Sequence, residues 1–418
     1  MSKPYTTISL CRCCAGDGLE PVLALGGQAI GSRFPGPGEP DPPVVPMTLV
    51  RCTRCALVQL LETTDSGELY TYDYGYRSGT NASMRDHLAE LVGWVTARAR
   101  PQAGDAIIDI GCNDGTLLKS YSVAGIGRFG IDPIVGKFAD HYPDDIGIIE
   151  DFFGSASCDA ALGGAKAKVI TSISMFYDLP DPNAFVAAIA RGLADEGVWV
   201  LEQSYLPSML ATNSFDTVCH EHLEYYALAQ IEWLARAHGL RVFDAARNAC
   251  NGGSFRLAVC HRDAAYGENE GALGELRALE SGLCLDTPAP FDSFRQRLQA
   301  LRQKTRAFVE AAVAAGKTIY LYGASTKGNT LLQYYGLDRR LIAGAAERNP
   351  QKYGHRTPAT AIPIVAEAQM RAAQPDYLFV LPWHFRDEFI AREAAYRKAG
   401  GQIIFPLPEF EIVGNGGG

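Results

Sequence analysis

Ile107-Ile108-Asp109-Ile110-Gly111-Cys112-Asn113-Asp114-Gly115 is an apolar run that ends in a carboxylate and then a glycine-containing turn, with Leu117-Leu118-Lys119 behind it as the start of a helix. A strand, a tight turn and a helix in succession bring backbone N–H groups and a helix N-terminus toward a nucleotide-like ligand. The glycine spacing is not G-x-G-x-x-G, which counts against a nicotinamide site. Asp132, in Gly130-Ile131-Asp132-Pro133, follows at close to the ~20 residues expected of a carboxylate that accepts ribose hydroxyls.

Outward from this stretch, apolar strands alternate with helical patterns. Ser83 to Ala99 reads as an amphipathic helix, and Arg128–Ile131, Val169–Ile173 and Val198–Leu201 read as buried strands. Alternation of this kind predicts a parallel sheet with covered faces, hence an α/β, Rossmann-like fold. A second, smaller α/β unit is expected from Lys317 onward, after a helical connector from Glu268 to Ala315. Three parts follow: 1–80, 81–265 and 266–418, with a poorly ordered-looking stretch from Gly36 to Pro46. The chain has 418 residues, is 47% apolar and carries a net charge of −9. The acidic balance speaks against a nucleic-acid partner and so against an RNA-modifying enzyme. No apolar run is long enough for a membrane span, and Met1-Ser2-Lys3-Pro4 lacks the core of a signal peptide, so a cytoplasmic protein is expected.

In that setting the 11 cysteines are expected to be free or metal-bound. Cys11-x-x-Cys14 and Cys52-x-x-Cys55 supply four thiolates, the usual set of a closed, structural zinc site. Cys13 is a possible substitute for Cys11 or Cys14, and a redox dithiol or buried free thiols are the competing readings.

The densest cluster of titratable side chains lies in Ser214-Phe215-Asp216-Thr217-Val218-Cys219-His220-Glu221-His222-Leu223-Glu224-Tyr225-Tyr226, beyond the fifth strand. It is not H-E-x-x-H. In an extended segment His220 and His222 share a side, and either suits base chemistry near neutral pH, with Glu221 as orienting group or base. A polar loop packed between domains, or a metal site, would use the same residues.

Two resemblances join these readings. Asp109, Gly111, Asn113 and Gly115 resemble motif I of the class I S-adenosylmethionine methyltransferases, roughly D/E-x-G-x-G/N-x-G. That likeness implies a methyl-donor site also including Asp132, with Asp151 and Phe152 bordering the adenine. The two cysteine pairs, the His220-Glu221-His222-Leu223-Glu224-Tyr225-Tyr226 run and Tyr322-Gly323-Ala324-Ser325-Thr326-Lys327-Gly328-Asn329 together resemble the nucleotide-sugar C-methyltransferases, in particular the sugar C-3′-methyltransferases. This likeness implies a nucleotide-linked 4-keto-6-deoxyhexose as partner, S-adenosylmethionine and structural zinc as cofactors, and a monomer or small homo-oligomer. It maps the base that forms the enolate to His222, beside Glu221 and His220. It also implies Tyr74 or Tyr76 as donor to the enolate oxygen, and Tyr177 and Tyr225 on the sugar. Ser325, Lys327, Arg348 and Lys352 are candidate diphosphate ligands. Cys219 stands where some relatives carry a tyrosine, and Met175-Phe176-Tyr177-Asp178 where some carry a further histidine. A sugar or small-molecule O- or N-methyltransferase, and a non-enzymatic scaffold, are the alternatives.

Overall fold

The computed structural model describes residues 3–69 and 77–414. Its largest sheet comprises β1 (Ala106–Ile110), β2 (Gly127–Ile131), β3 (Ile146–Ile149), β4 (Ala167–Ile173), β5 (Leu193–Ser204), β6 (Leu240–Asn248) and β7 (Ser254–His261). The order is 3-2-1-4-5-7-6. The first five strands are parallel, and β7 runs antiparallel between β5 and β6. The chain reverses direction across the sheet between β1 and β4, which opens a crevice at the carboxyl ends of those strands, where ligands of such sheets bind.

Both faces are covered, which is why the strands are apolar throughout. Helix Ala82–Ala99 buries Leu88, Leu91, Val92 and Val95, an i, i+3, i+4, i+7 stripe, in one cluster with Ile107, Val169 and Val198. Each such side chain contributes ~1.5–3 kcal/mol on burial. Helix Pro182–Gly192 starts on an Asp181 cap, whose carboxylate accepts the Ala184 N–H, and buries Phe185, Val186 and Ile189 on the other face. There Phe185 and Trp199 close around Phe176.

The cysteine-rich part forms a sheet from Leu19–Ala29, Val44–Cys52 and Val58–Leu60, and the middle segment lends it a fourth strand, Glu224–Tyr225. The stretch expected to be poorly ordered has no regular secondary structure as far as Pro43, after which Val44 begins a strand. It is tied down, because Arg356 donates through its backbone N–H to the Pro35 carbonyl and pairs with Asp41. The connector is two helices, Glu270–Leu283 and Ala289–Ala314. Glu280 on the first accepts from Tyr205 Oη at 2.7 Å and Leu228 N at 2.6 Å, fastening it to the middle sheet's flank. The last sheet orders its strands 364–366, 344–347, 319–322, 377–380, 402–405 and 411–413, parallel except for the final one. Among the described residues no helix is long and apolar enough to cross a membrane.

Candidate active site

The carboxyl ends of β1, β2, β4 and β5 face a cleft of about 1800 Å³, whose other walls are the cysteine-rich part and the carboxyl ends of the last sheet. Asp109, Gly111, Asn113 and Asp132 all line it. Asp109 is buried and accepts from Thr171 Oγ1 at 2.6 Å, its register partner on β4. Burial pushes its carboxyl up to about 7, with Asp132 adding to the rise. Gly111, at φ +69°, donates to the Ile131 carbonyl, and a Cβ there would press on Met175 at 3.2 Å. Asn113 sits at φ +50°, a conformation asparagine tolerates better than most residues. Its N–H donates to Asp132 Oδ2 at 3.0 Å, and its Oδ1 accepts the Ser78 N–H at 3.0 Å. Asp132 Oδ1 accepts from Ile134 N at 2.9 Å, so this carboxylate organises both turns of the crevice while facing it. Gly115 is not in the lining. It lies behind the turn at φ +72°, where a Cβ would meet the Tyr142 ring at 2.6 Å. Tyr142 Oη in turn donates to the Asn113 carbonyl at 2.8 Å. Phe152 lines the cleft, but Asp151 does not; it is exposed and accepts from the N–H of Phe152.

Across the cleft, residues 219–222 turn rather than extend, with His222 N donating to the Cys219 carbonyl at 3.2 Å. The turn separates the two histidines, correcting the expectation that they share a side. His220 points to the cysteine-rich sheet and donates through Nε2 to the Gln28 carbonyl at 3.2 Å. His222 lines the cleft. Its Nδ1–H donates to the Thr217 carbonyl at 2.8 Å, which fixes the tautomer and leaves Nε2 as the basic nitrogen. Burial first and the Lys327 ammonium second lower its pKa to about 4, with Glu221 opposing; the ring is therefore neutral at pH 7. Glu221 is buried beside it and lines the cleft, with neither carboxylate oxygen hydrogen-bonded among the described residues. The Tyr177 ring packs on His222 at 4.2 Å between centroids. Tyr225 is turned away from the large cleft; its Oη donates to the His222 carbonyl at 3.1 Å and so holds the turn instead of a ligand.

On the third wall, Ser325 caps helix Thr326–Tyr335, accepting from Gly328 N at 3.1 Å. Ser325 and Lys327 both line the cleft. Lys352 does too, donating to the Ala324 carbonyl at 2.8 Å, with its ammonium 4.2 Å from the Phe34 ring centre. Arg348 does not line the cleft; it is exposed and paired with Glu367 at 3.1 Å. Tyr74 and Tyr76 lie outside the described residues. The sequence reading missed His87, Glu202, Asp216 and His384, all cleft-lining. Asp216 accepts from Trp383 Nε1 at 2.9 Å. Glu202, at the end of a predicted strand, and Asp216, inside the polar stretch 214–226, carried usable signals.

The sulfurs of Cys11, Cys14, Cys52 and Cys55 all lie within 4.8 Å of one another, and Cys13 is outside the group. The Cys11–Cys55 and Cys14–Cys52 separations are each 3.6 Å. A tetrahedron with Zn–S bonds of ~2.3 Å has edges of ~3.8 Å, so the thiols fit zinc. Ala15 and Ala56 turn left-handed one residue after each pair, and their N–H groups reach back to the Cys11 and Cys52 carbonyls, which makes the two knuckles equivalent.

Family models match three consecutive parts of the chain. They are "Putative zinc binding domain" over 11–70, "Methyltransferase domain" over 76–245 and "C-methyltransferase C-terminal domain" over 249–408. The C-methyltransferase NovU of Streptomyces niveus is 29% identical over 414 residues, which is 97% of each chain. The chain carries the three matching parts of a C-methyltransferase and is similar to one along its whole length. A ubiquinone biosynthesis O-methyltransferase of Thiobacillus denitrificans is 30% identical over 161 residues, covering 35% of this chain and 68% of that one. Among solved structures, the magnesium protoporphyrin IX methyltransferase of Synechocystis PCC 6803 with bound S-adenosylhomocysteine matches at TM-score 0.34 and 15% identity, over 44% of this chain and 90% of that one. This C-methyltransferase uses S-adenosylmethionine as its donor and carries its four-cysteine zinc group in the N-terminal domain.

Proposed function

We propose that this C-methyltransferase acts on a nucleotide-linked 4-keto-6-deoxy sugar, at C-3′. The observation that carries the reading is His222: a neutral imidazole, anchored through Nδ1 to the Thr217 carbonyl, with Nε2 available in the same cleft as the Asp109–Gly115 turn. A carbon is methylated as a nucleophile only after losing a proton, and a ketone acidifies the neighbouring C–H. His222 Nε2 takes that proton, the C–H electron pair remains on the sugar as an enolate, and Glu221 stabilises the imidazolium that forms. S-adenosylmethionine, when bound, supplies the electrophilic methyl group. The Asp109–Gly115 turn and Asp132 hold it, with Phe152 at its border. Tyr177 packs the base from behind, and the predicted Tyr74 or Tyr76 hydroxyl donates to the enolate oxygen. Ser325, Lys327 and Lys352 face the cleft where a diphosphate would lie, on a helix N-terminus that favours anions. The reading includes three folding units, 1–80, 81–265 and 266–418, a cytoplasmic setting and a monomer or small homo-oligomer.

The test is incubation with methyl-labelled donor and a panel of nucleotide-linked 4-ketosugars in deuterated water, read by product mass. Label on carbon, with α-proton exchange that disappears in His222→Gln, is expected. Label on oxygen, or on none of the sugars, would refute the reading.

A further inference from the structure

The cleft contains a second imidazole–carboxylate pair that the methylation chemistry above does not use. Glu202 lies near the carboxyl end of β5 with only 2% of its side chain exposed. Arg256 Nε donates to its Oε2 at 2.7 Å and Asn248 Nδ2 at 2.9 Å, and the same guanidinium also pairs with Glu90 at 2.9 Å, so the carboxylate is held on one oxygen before His87 is counted. His87, on the helix Ala82–Ala99, donates through Nε2 to Glu202 Oε1 and lines the cleft with 19% of its side chain exposed. In the neutral ring that bond leaves the lone pair on Nδ1. No hydrogen bond to Nδ1 is made by any described residue. A rigidly held acceptor facing a polar cleft is matched by a ligand O–H.

We propose that His87, oriented by Glu202, is a specificity-determining residue that accepts a hydrogen bond from a hydroxyl of the acceptor sugar. The assignment rests on the ketosugar reading above and adds a second anchor to it. His222 addresses the C–H to be broken, and His87 addresses an O–H on the same ring. Sites built to pair a substrate hydroxyl discriminate against the analogue that lacks it far more strongly than apolar pockets discriminate by size.

The experiment compares wild type with His87→Phe and His87→Gln on matched nucleotide-linked 4-ketosugars that keep or lack the hydroxyl at C-2′ or at C-3′. Wild type is expected to prefer one hydroxylated member of a pair. His87→Phe is expected to lower kcat/KM for that member by roughly 10- to 100-fold, to leave its deoxy partner nearly unchanged, and so to collapse the ratio. His87→Gln, which keeps a polar end, should recover part of it. Donor affinity by calorimetry should be the same in all three proteins. An equal loss on all acceptors, a loss of donor affinity, or a second equivalent of bound metal that falls in His87→Gln would overturn the assignment. The last outcome would make His87, Glu202 and Cys250, whose ligand atoms lie within 4.8 Å of one another, a metal centre. Failure of wild type to bind or methylate any ketosugar overturns the parent reading and this one together, whereas methylation with an unaltered ratio in His87→Phe overturns this one alone.

Discussion

The proton affinity of His222 is open to a direct measurement that needs no substrate. Its pKa falls from 6.5 to about 4, and at ~1.4 kcal/mol per pH unit this amounts to ~3 kcal/mol against the imidazolium, as an upper figure, since water at the cleft mouth screens part of it. Burial is the first cause and the Lys327 charge the second. Titration of histidine-labelled protein by NMR should therefore show, besides His384, which burial and the Lys327 charge hold at about 3, an imidazole with a midpoint below 5 that is absent from His222→Gln. Lys327→Met should move that midpoint upward. Folding stability is linked to the same shift. The unfolded chain takes up the proton near 6.5 and the folded one only near 4, so the contribution is complete above 6.5 and is lost as pH falls from 6.5 through 4. In His222→Gln that part of the pH dependence should vanish from urea denaturation curves. A wild-type midpoint at or above 6.5, or one indifferent to Lys327→Met, would refute both the buried neutral base and its coupling to the C-terminal helix.

Other outcomes follow from the geometry. Gly115→Ala places a Cβ against the Tyr142 ring in a left-handed backbone position; it should cost ~1–3 kcal/mol in chemical denaturation and weaken donor binding in calorimetry. Arg256→Met leaves the Glu202 carboxylate buried without its cation, a loss of ~3–5 kcal/mol expected in urea unfolding, whereas the exposed pair Arg306–Glu310 should be worth under ~1 kcal/mol in the same assay. Metal analysis should give one zinc per chain, and Cys14→Ser should lose it and lower the melting temperature; full zinc retention would remove Cys14 from the ligand set.

What could be read from the sequence was local in character. The Asp109–Gly115 turn and the cysteine pairs declare themselves because their chemistry depends on spacing within a few residues. The base is less legible. His220 and His222 look equivalent by alternation, and only the reversal at 219–222 sends one to the Gln28 carbonyl and the other to the cleft. Arg348 resembled a phosphate ligand because the position of Glu367 was unknown. His87 and Glu202 are 115 residues apart and meet because a helix entering the middle sheet crosses the end of its fifth strand, an adjacency that no periodicity encodes. Tyr142, which supports the glycine turn from behind, gave no signal either.

The helix that begins at Ser325 is stitched to both other parts of the protein. Asn329 donates to the Gly31 carbonyl at 2.7 Å, Thr330 Oγ1 to the Val218 carbonyl at 2.9 Å, and Gln333 exchanges hydrogen bonds with the backbone of Ala29. Val218 lies four residues before His222 in the chain, and Ala29 is next to the Gln28 that receives His220. One helix thus registers His222, the four-cysteine module and Lys327 against each other. Chimeras between relatives that exchange a whole C-terminal part should lose the alignment of the base even where every domain folds. Exchange should succeed only when these seam residues travel together, so the unit that must be inherited whole is the seam and not any one domain.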